Sequence, residues 1–189
     1  MNPTLQDISP AHMVIENRMV NEKGDLMELR DHAFLFDILQ DMTPIQVIKK
    51  CGQVGVSVIE NIKAWFAAKI GPTVIYTMPS DTDVWEFAKT KTDKIFQANK
   101  FMRDSLKSDN ATLKQIGKTF IHFKGTISKT APISTTGDIL IHDEYDRSDV
   151  GIVAQYQSRL SASKYRGTWY VSNPSTLRRG VDVFWRQSD

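Results

Sequence analysis

Residues 47–57 of the chain, VIKKCGQVGVS, join a short apolar run to a turn that contains two glycines. The following residues, up to 69, carry apolar side chains at helical spacing, so this segment predicts a strand, a tight loop and a helix. Backbone N–H groups of a glycine-bearing turn at a helix N-terminus bind anions without any particular side chain. The segment therefore predicts a phosphate-binding loop, although the same glycines would also suit a plain strand-to-helix turn.

The loop departs from the standard Walker A motif at one position, because Val56 stands where that motif has lysine. Gly55 and Ser57 keep the rest of the pattern, and the Ser57 hydroxyl remains available to Mg²⁺. Lys50, at the start of the loop, has a stem long enough to reach the phosphates, which predicts that it replaces the missing cation. Lys49 is the alternative, and strand alternation directs these two neighbours to opposite faces.

Two adjacent carboxylates follow a second apolar run, in the sequence ILIHDE at residues 139–144. A buried strand ends in such a pair when the acids are solvated, paired or bound to a metal ion. Beside a phosphate loop, Asp143 would hold Mg²⁺ and Glu144 would act as the general base on the attacking water. The alternative is a strand that ends in an ordinary acidic turn. The upstream loop favours the enzymatic interpretation, because each motif explains the other.

Strand-like and helix-like segments alternate along the chain, which predicts an α/β fold with a mostly parallel central sheet flanked by helices. We expect the three-layer architecture of P-loop NTPases, of the RecA or ASCE type, with ligands at the carboxyl ends of the strands. Residues 1–24 are polar and irregular and predict an N-terminal arm, so the ATPase domain would span residues 25–189. The other predicted strands are 73–78, 119–123, 138–142 and 168–172, and the other predicted helices are 26–41, 81–95 and 148–160.

Composition excludes several classes of protein. Of the 189 residues, 41% are hydrophobic and 24% are charged, values typical of globular domains. Cys51 is the single cysteine, so a disulfide-stapled secreted domain is excluded. No apolar run in the sequence is long enough to span a bilayer, and the net charge of +2 is too small to indicate nucleic-acid binding by itself.

The ordered series of motifs over residues 25–189 resembles the N-terminal ATPase half of tailed-phage terminase large subunits. The resemblance is to the lambda-like subgroup, whose deviant Walker A places its lysine at the start of the loop. It implies that the chain hydrolyses ATP, with Mg²⁺ as cofactor, and that Lys50 and Glu144 are catalytic while Ser57 and Asp143 bind the metal. The matching segments are 50–57, 75–87, 123–125, 139–146 and 170–174. The implied ATP-binding residues are Lys50, Cys51, Gly52, Gln53, Val54, Gly55, Val56 and Ser57.

The resemblance also implies roles outside the two main motifs. Ser172 and Asn173 match the family's coupling motif, which senses the terminal phosphate and relays its loss. Residues 31–38 would flank the adenine, with Phe34 or Phe36 stacking on the base, unless both are core aromatics. The implied partners are ATP, double-stranded DNA, a homo-oligomeric ring of the same chain, the portal and the small terminase subunit, in the cytoplasm of an infected bacterial host and without a membrane.

Two features depart from the family's pattern. Many relatives carry an arginine inside the loop, and this loop has none, so a finger would come from Arg147, Arg159, Arg166 or Lys129, or from a neighbouring subunit. Terminase large subunits normally continue into an RNase H-like nuclease domain, and this sequence ends just past the coupling motif. We therefore expect no nuclease activity in this chain.

Two other functions remain open at the level of sequence. One is a RecA-type translocase or helicase-like ATPase, which shares the Walker pair but requires a second motor domain. The other is a catalytically degenerate nucleotide-binding module. Val56 favours that module, whereas Glu144 argues against it because a structural domain has no use for a base beside Asp143.

Overall fold

The computed structural model describes residues 9–29, 32–127 and 135–187 and contains one central sheet. Its strands are Ile45–Lys49 (β1), Val74–Met78 (β2), Leu106–Asn110 (β3), Leu113–Ile116 (β4), Thr119–Gly125 (β5), Ile139–Asp143 (β6) and Gly167–Ser172 (β7). In space they follow the order β1-β7-β6-β2-β5-β4-β3. Strand β7 therefore lies between the strand that precedes the loop and the strand that ends in the acids.

Helices surround this sheet. They are Pro10–Glu16 (α1), Ala33–Gln40 (α2), Val56–Ile70 (α3), Asp81–Phe87 (α4), Asp93–Ala98 (α5), Lys100–Arg103 (α6), Val150–Gln157 (α7) and Val181–Gln187 (α8). A π turn at Ala88–Thr92 joins α4 to α5, and short 3-10 turns occur at Tyr145–Arg147 and Ser158–Leu160.

Five of the strands run parallel to one another, and β4 and β3 extend the sheet in antiparallel fashion at one edge. The predicted fold class, a mostly parallel sheet flanked by helices, is confirmed. The β3–β4 hairpin was not predicted, because its sequence is mainly polar. One buried side chain of the hairpin is Lys114, whose ammonium bonds to Asp93 and Asp109.

Apolar side chains cover both faces of the central strands. Val74 and Tyr76 of β2 belong to the main core cluster, together with α3. The intervening Ile75 points to the opposite face and packs with Leu140 of β6 and Tyr156 of α7. Every residue of β2 and β6 is buried, as expected for parallel strands covered on both sides.

The helix predicted from residue 26 begins at Ala33 instead, so that part of the prediction was wrong. Leu26 forms an antiparallel bridge with Val20, and the Met27 N–H donates to the Met19 carbonyl at 2.9 Å. Pairing with this earlier segment satisfies the backbone groups that a helix would otherwise have used. The helical spacing of the apolar residues here was therefore misleading.

The helix predicted over residues 81–95 is present and continues to Ala98. A capping box formed by Ser80 and Asp83 begins it. In its middle, the π turn widens the helix by one residue, and the Asp93 N–H donates to the carbonyl of Ala88 five residues earlier. The rotation of all later residues about the helix axis is changed by this insertion.

Helix α1 contributes Ala11 and Val14, both buried, to the same core cluster as the residues that follow. The proposed division of the chain at residue 24 stays a prediction. Among the described residues, no helix is both long enough and apolar enough to cross a membrane.

A buried polar cluster lies beneath α3. The Lys63 ammonium donates to Gln46 Oε1 of β1 at 2.6 Å and to Glu60 Oε1 at 3.0 Å, and it lies 4.2 Å from the ring centroid of Trp169 of β7. Burial raises the pKa of Glu60 above its ordinary value, although Lys63 opposes this shift. The cluster therefore connects the helix after the loop to two strands of the sheet.

Candidate active site

The loop after β1 reaches the helix α3 through a left-handed turn. Gln53 and Gly55 have positive φ values of 61° and 85°. A Cβ added to Gly55 would meet Leu35 Cδ1 at 3.3 Å, so both conformation and space favour glycine there. Gly55 precedes the first helical residue and has no side chain with which to cap it, which leaves that role to a ligand or solvent.

The Lys50 ammonium lies between the loop and the two acids. Its Nζ is 2.7 Å from Ser57 Oγ, 2.7 Å from Asp143 Oδ1 and 3.0 Å from Glu144 Oε1, and the side chain is only 7% exposed. Burial alone would lower the pKa of Lys50, but the carboxylates of Asp143 and Glu144 outweigh burial and raise it. The loop and the acids, far apart in sequence, thus meet at one charged group.

Asp143 is completely buried at the end of β6 and has two further partners. Its Oδ2 accepts a hydrogen bond from the Tyr76 hydroxyl at 2.8 Å, and its Oδ1 accepts one from the Glu144 N–H at 2.9 Å. Burial, and then the charge of Asp143, raises the pKa of Tyr76 well above its ordinary value, so this hydroxyl remains a donor. Sequence analysis missed Tyr76, although a tyrosine within an otherwise apolar strand was a signal of a buried polar partner.

Glu144 follows Asp143 in a strained backbone conformation, with φ 54° and ψ 41°. Non-glycine residues adopt this left-handed region at a cost, and such residues occur often at functional sites. The Glu144 side chain is 29% exposed, in contrast to the buried Asp143. The strand end therefore offers one enclosed carboxylate and one that solvent can reach.

Lys49 points away from this site, as strand alternation predicts. Its ammonium pairs with Asp182 Oδ1 of α8 at 2.7 Å, and the same carboxylate accepts hydrogen bonds from the Arg178 N–H and from Arg186 Nε. The structure thus brings Lys50, and not Lys49, to the loop and the acids.

Ser172 ends β7 between the two motifs and is buried. Its carbonyl accepts the Lys50 N–H at 2.9 Å, and its Oγ accepts the Asp146 N–H at 3.1 Å. The same hydroxyl donates to the Asn173 carbonyl at 3.3 Å, and Asn173 itself is exposed. Ser172 therefore joins the backbone at the start of the loop to the turn that follows Glu144.

A cleft of about 530 Å³ opens over these groups. All eight residues of the implied ATP-binding loop, Lys50 through Ser57, line it together with Glu144. Glu22, Lys23 and Lys91 form other parts of its wall and were missed by sequence analysis. They come from the turn before α2 and from the π turn, and neither segment carries a recognisable phosphate-binding motif.

A second pocket of about 480 Å³ adjoins the cleft, since Gln53, Val54 and Gly55 line both. Of the described residues of α2, Leu35 lines this pocket, whereas Phe36 lines a different one and Phe34 is 43% exposed. Other residues of its wall are Leu26, Met27, Leu29, His32, Val58 and Ile59. The adenine-flanking segment 31–38 stays a prediction, and its first residue lies outside the described residues.

The three arginines among the candidate finger residues lie outside the cleft. Arg147 and Arg166 are exposed, Arg159 is half-buried, and none of the three lines the cleft. Arg166 Nη2 donates to the Ser161 carbonyl at 2.8 Å. Lys129 lies outside the described residues.

Comparison with known proteins supports the fold. No family model matches this chain. No curated protein matches it either. Among solved structures, the chain is similar to the large terminase of a thermophilic bacteriophage, with a TM-score of 0.56 and 10% sequence identity. The similarity covers 70% of this chain and 34% of that one, so over that part the two chains share a fold, and this chain corresponds to about a third of the length of the terminase.

Proposed function

We propose that this chain is the ATPase motor domain of a viral DNA-packaging terminase large subunit. The observation that carries the proposal is the position of the Lys50 ammonium, which bonds to Ser57, Asp143 and Glu144 within a cleft walled by the glycine-bearing loop. A positive charge and a carboxylate pair beside a helix N-terminus are the groups that a triphosphate and its metal ion require. The terminase-like fold supports the same function.

The donor set beside Lys50 fits Mg²⁺. Ser57 Oγ and Asp143 Oδ1 both bond to the Lys50 ammonium, so these two oxygens already share one cation. Mg²⁺ is commonly bound by one or two protein oxygens together with phosphate oxygens and water. Ser57 and Asp143 would hold the ion, which would neutralise phosphate charge. Among the described residues, no cluster of three or more metal-binding side chains competes for that role.

Glu144 is the proposed general base. In the structure, the Lys50 ammonium lies 3.0 Å from Glu144 Oε1 and neutralises this carboxylate. Phosphate oxygens compete for that ammonium when ATP binds, which frees Glu144 to accept a proton from water. The water oxygen then bonds to the terminal phosphorus, the bond to the bridging oxygen breaks, and ADP leaves.

The adjoining pocket is the proposed site for the adenine base. It continues directly from the loop, and its wall combines apolar side chains such as Leu35 and Val58 with polar ones such as Glu28 and His32. A purine has two apolar faces and polar edges, so it suits such a mixed wall. In this arrangement the phosphates lie along the loop between the pocket and Glu144.

Coupling to DNA is proposed to pass through Ser172 and Asn173. Ser172 already contacts the backbone at Lys50 and the turn after Glu144, so it can respond to changes at either motif. We propose that the complete machine is a homo-oligomeric ring that acts with the portal and the small subunit on double-stranded DNA, in the cytoplasm of an infected bacterium. Stimulation of hydrolysis by double-stranded DNA would support this assignment over a free-standing nucleotide-binding module.

Replacement Glu144→Gln tests the enzymatic proposal. We expect ATP affinity to be kept or raised, because the amide keeps the size of the side chain and no longer holds Lys50 by charge, while phosphate release falls by about 100-fold or more. The control is Glu86→Gln, which changes an exposed acid on α4. Phosphate release at the wild-type rate by Glu144→Gln would overturn the assignment of the base.

The second candidate function is a nucleotide-binding module without catalysis. Val56 supports it, since a buried valine occupies the standard lysine position. This module would be favoured if ATP stabilised the wild type but no phosphate were released, whether double-stranded DNA was present or absent. Absence of both ATP stabilisation and turnover would exclude both functions.

A further inference from the structure

A second cationic side chain, Lys91, lines the phosphate cleft and has no part in the mechanism described above. It belongs to the π turn between α4 and α5, and its side chain is 39% exposed. Its ammonium forms an ion pair with Glu22, which lines the same cleft. The pair therefore places an exchangeable cation in the wall of the proposed nucleotide site.

Lys91 lies at the edge of the buried face of its helix. Ala88, Thr92 and Ile95 are fully buried, whereas the Lys91 side chain is 39% exposed and its ammonium bonds to Glu22. Single π turns like the one that carries Lys91 occur often at functional sites.

Lys91 lines the cleft together with Lys50 and Glu144, and its partner Glu22 lines both the cleft and the adjoining pocket. With the base in that pocket, the triphosphate would lie in the cleft. Lys91 is thus a cation in the wall of the cleft that would receive the phosphates.

We propose that Lys91 is a second cationic ligand of the terminal phosphate, supplied by the same chain, and that Glu22 holds its ammonium in the nucleotide-free protein. This inference rests on the proposed ATPase function. Burial alone would raise the pKa of Glu22, but the bond to Lys91 outweighs burial and lowers it. Glu22 is therefore ionised at neutral pH, and the terminal phosphate must compete with it for Lys91.

The test compares Lys91→Ala with Lys89→Ala. Lys89 is a lysine of the same π turn, but it pairs with Asp93 on the exposed side at 2.8 Å and does not line the cleft. We expect Lys91→Ala to reduce the preference for a non-hydrolysable ATP analogue over ADP by about tenfold or more, because a charge-assisted bond to the terminal phosphate is lost. Phosphate release should fall with it. Lys89→Ala should match the wild type, and Lys91→Arg should retain most of the preference.

The variant Glu22→Gln gives a second, independent test of this inference. Freed from its partner, Lys91 should bind the terminal phosphate more readily, so the affinity for the ATP analogue should rise, and this gain should vanish in the Lys91→Ala background. A merely structural ion pair would lower the melting temperature in both single variants without changing the preference for ATP over ADP, and that result would overturn the inference.

The failure of this inference is distinguishable from failure of the proposed function. If the wild type binds the ATP analogue and Lys50→Ala abolishes binding, while Lys91→Ala behaves like Lys89→Ala, only the role of Lys91 is refuted. If the wild type binds neither the analogue nor ADP, the proposed function fails and this inference fails with it.

Discussion

Replacing Lys50 by alanine is expected to destabilise the protein even without nucleotide, because its ammonium is enclosed by acids. In the variant, the buried Asp143 would keep the hydrogen bonds from the Tyr76 hydroxyl and the Glu144 N–H but lose its countercharge. Removing one partner of a buried ion pair costs about 3–5 kcal/mol. The two remaining hydrogen bonds favour the lower end, about 3 kcal/mol. In a domain of this size, that loss lowers the melting temperature by about 6–12 °C.

Calorimetry at neutral pH and without nucleotide measures this loss, and Lys49→Ala is the matched control. The Lys49 side chain is 29% exposed, and its partner Asp182 keeps bonds to Arg178 and Arg186, so we expect a loss of only about 1 kcal/mol. Adding Asp143→Asn to Lys50→Ala should restore much of the stability, because the uncompensated charge is removed. A Lys50→Ala protein that melts no lower than Lys49→Ala would refute the reasoning. The same variant should lose ATP binding, which the control should keep.

Three further predictions concern other parts of the site. Tyr76→Phe removes the donor to Asp143 Oδ2, so the free energy of unfolding should fall by about 1–3 kcal/mol in urea titrations. Gly55→Ala should cost about 1–2 kcal/mol and weaken ATP binding, since φ is 85° and Leu35 Cδ1 lies 3.3 Å from the added Cβ; unchanged values would contradict the strain argument. His142 is buried, and burial lowers its pKa to about 3. Below pH 6.5, His142 binds a proton in the unfolded protein but not in the folded one. The free energy of unfolding should therefore fall as the pH drops from 6.5 towards 3, and His142 should contribute about 1.4 kcal/mol per pH unit to this fall. His142→Gln should lose that part of the slope, as measured by unfolding at several pH values.

The sequence predicted the parts of the site that depend on local pattern. An apolar run, two glycines and a helical repeat define the loop, and strand alternation separated Lys50 from Lys49. Residues 139–144 end a strand in acids, and parallel strands bring such ends together at one edge. These features need no knowledge of distant contacts.

The remaining features depend on contacts between segments far apart in the chain. Tyr76 bonds to an acid 67 residues away, and Glu22 pairs with a lysine 69 residues away. Neither pairing has a local signature, and the π turn that contains Lys91 leaves the helical pattern of buried residues nearly intact. The predicted start of α2 was wrong for the same reason. The Met27 N–H bonds to the Met19 carbonyl and not to a carbonyl one helical turn earlier.

The buried cluster of Lys63, Glu60 and Gln46 bears on how movement at the loop could travel. Sliding or rotating α3 against the sheet would break the bond from the buried Lys63 ammonium to Gln46 and its contact with the Trp169 ring, whereas the bond to Glu60 lies within the helix and would be kept. A hydrogen bond made by a buried charged group is worth about 1.5–3 kcal/mol, so movement of α3 relative to β1 and β7 is disfavoured. A displacement of the loop that moved α3, β1 and β7 together would keep these contacts and would reach the far end of α3, about 20 Å away at 1.5 Å per residue.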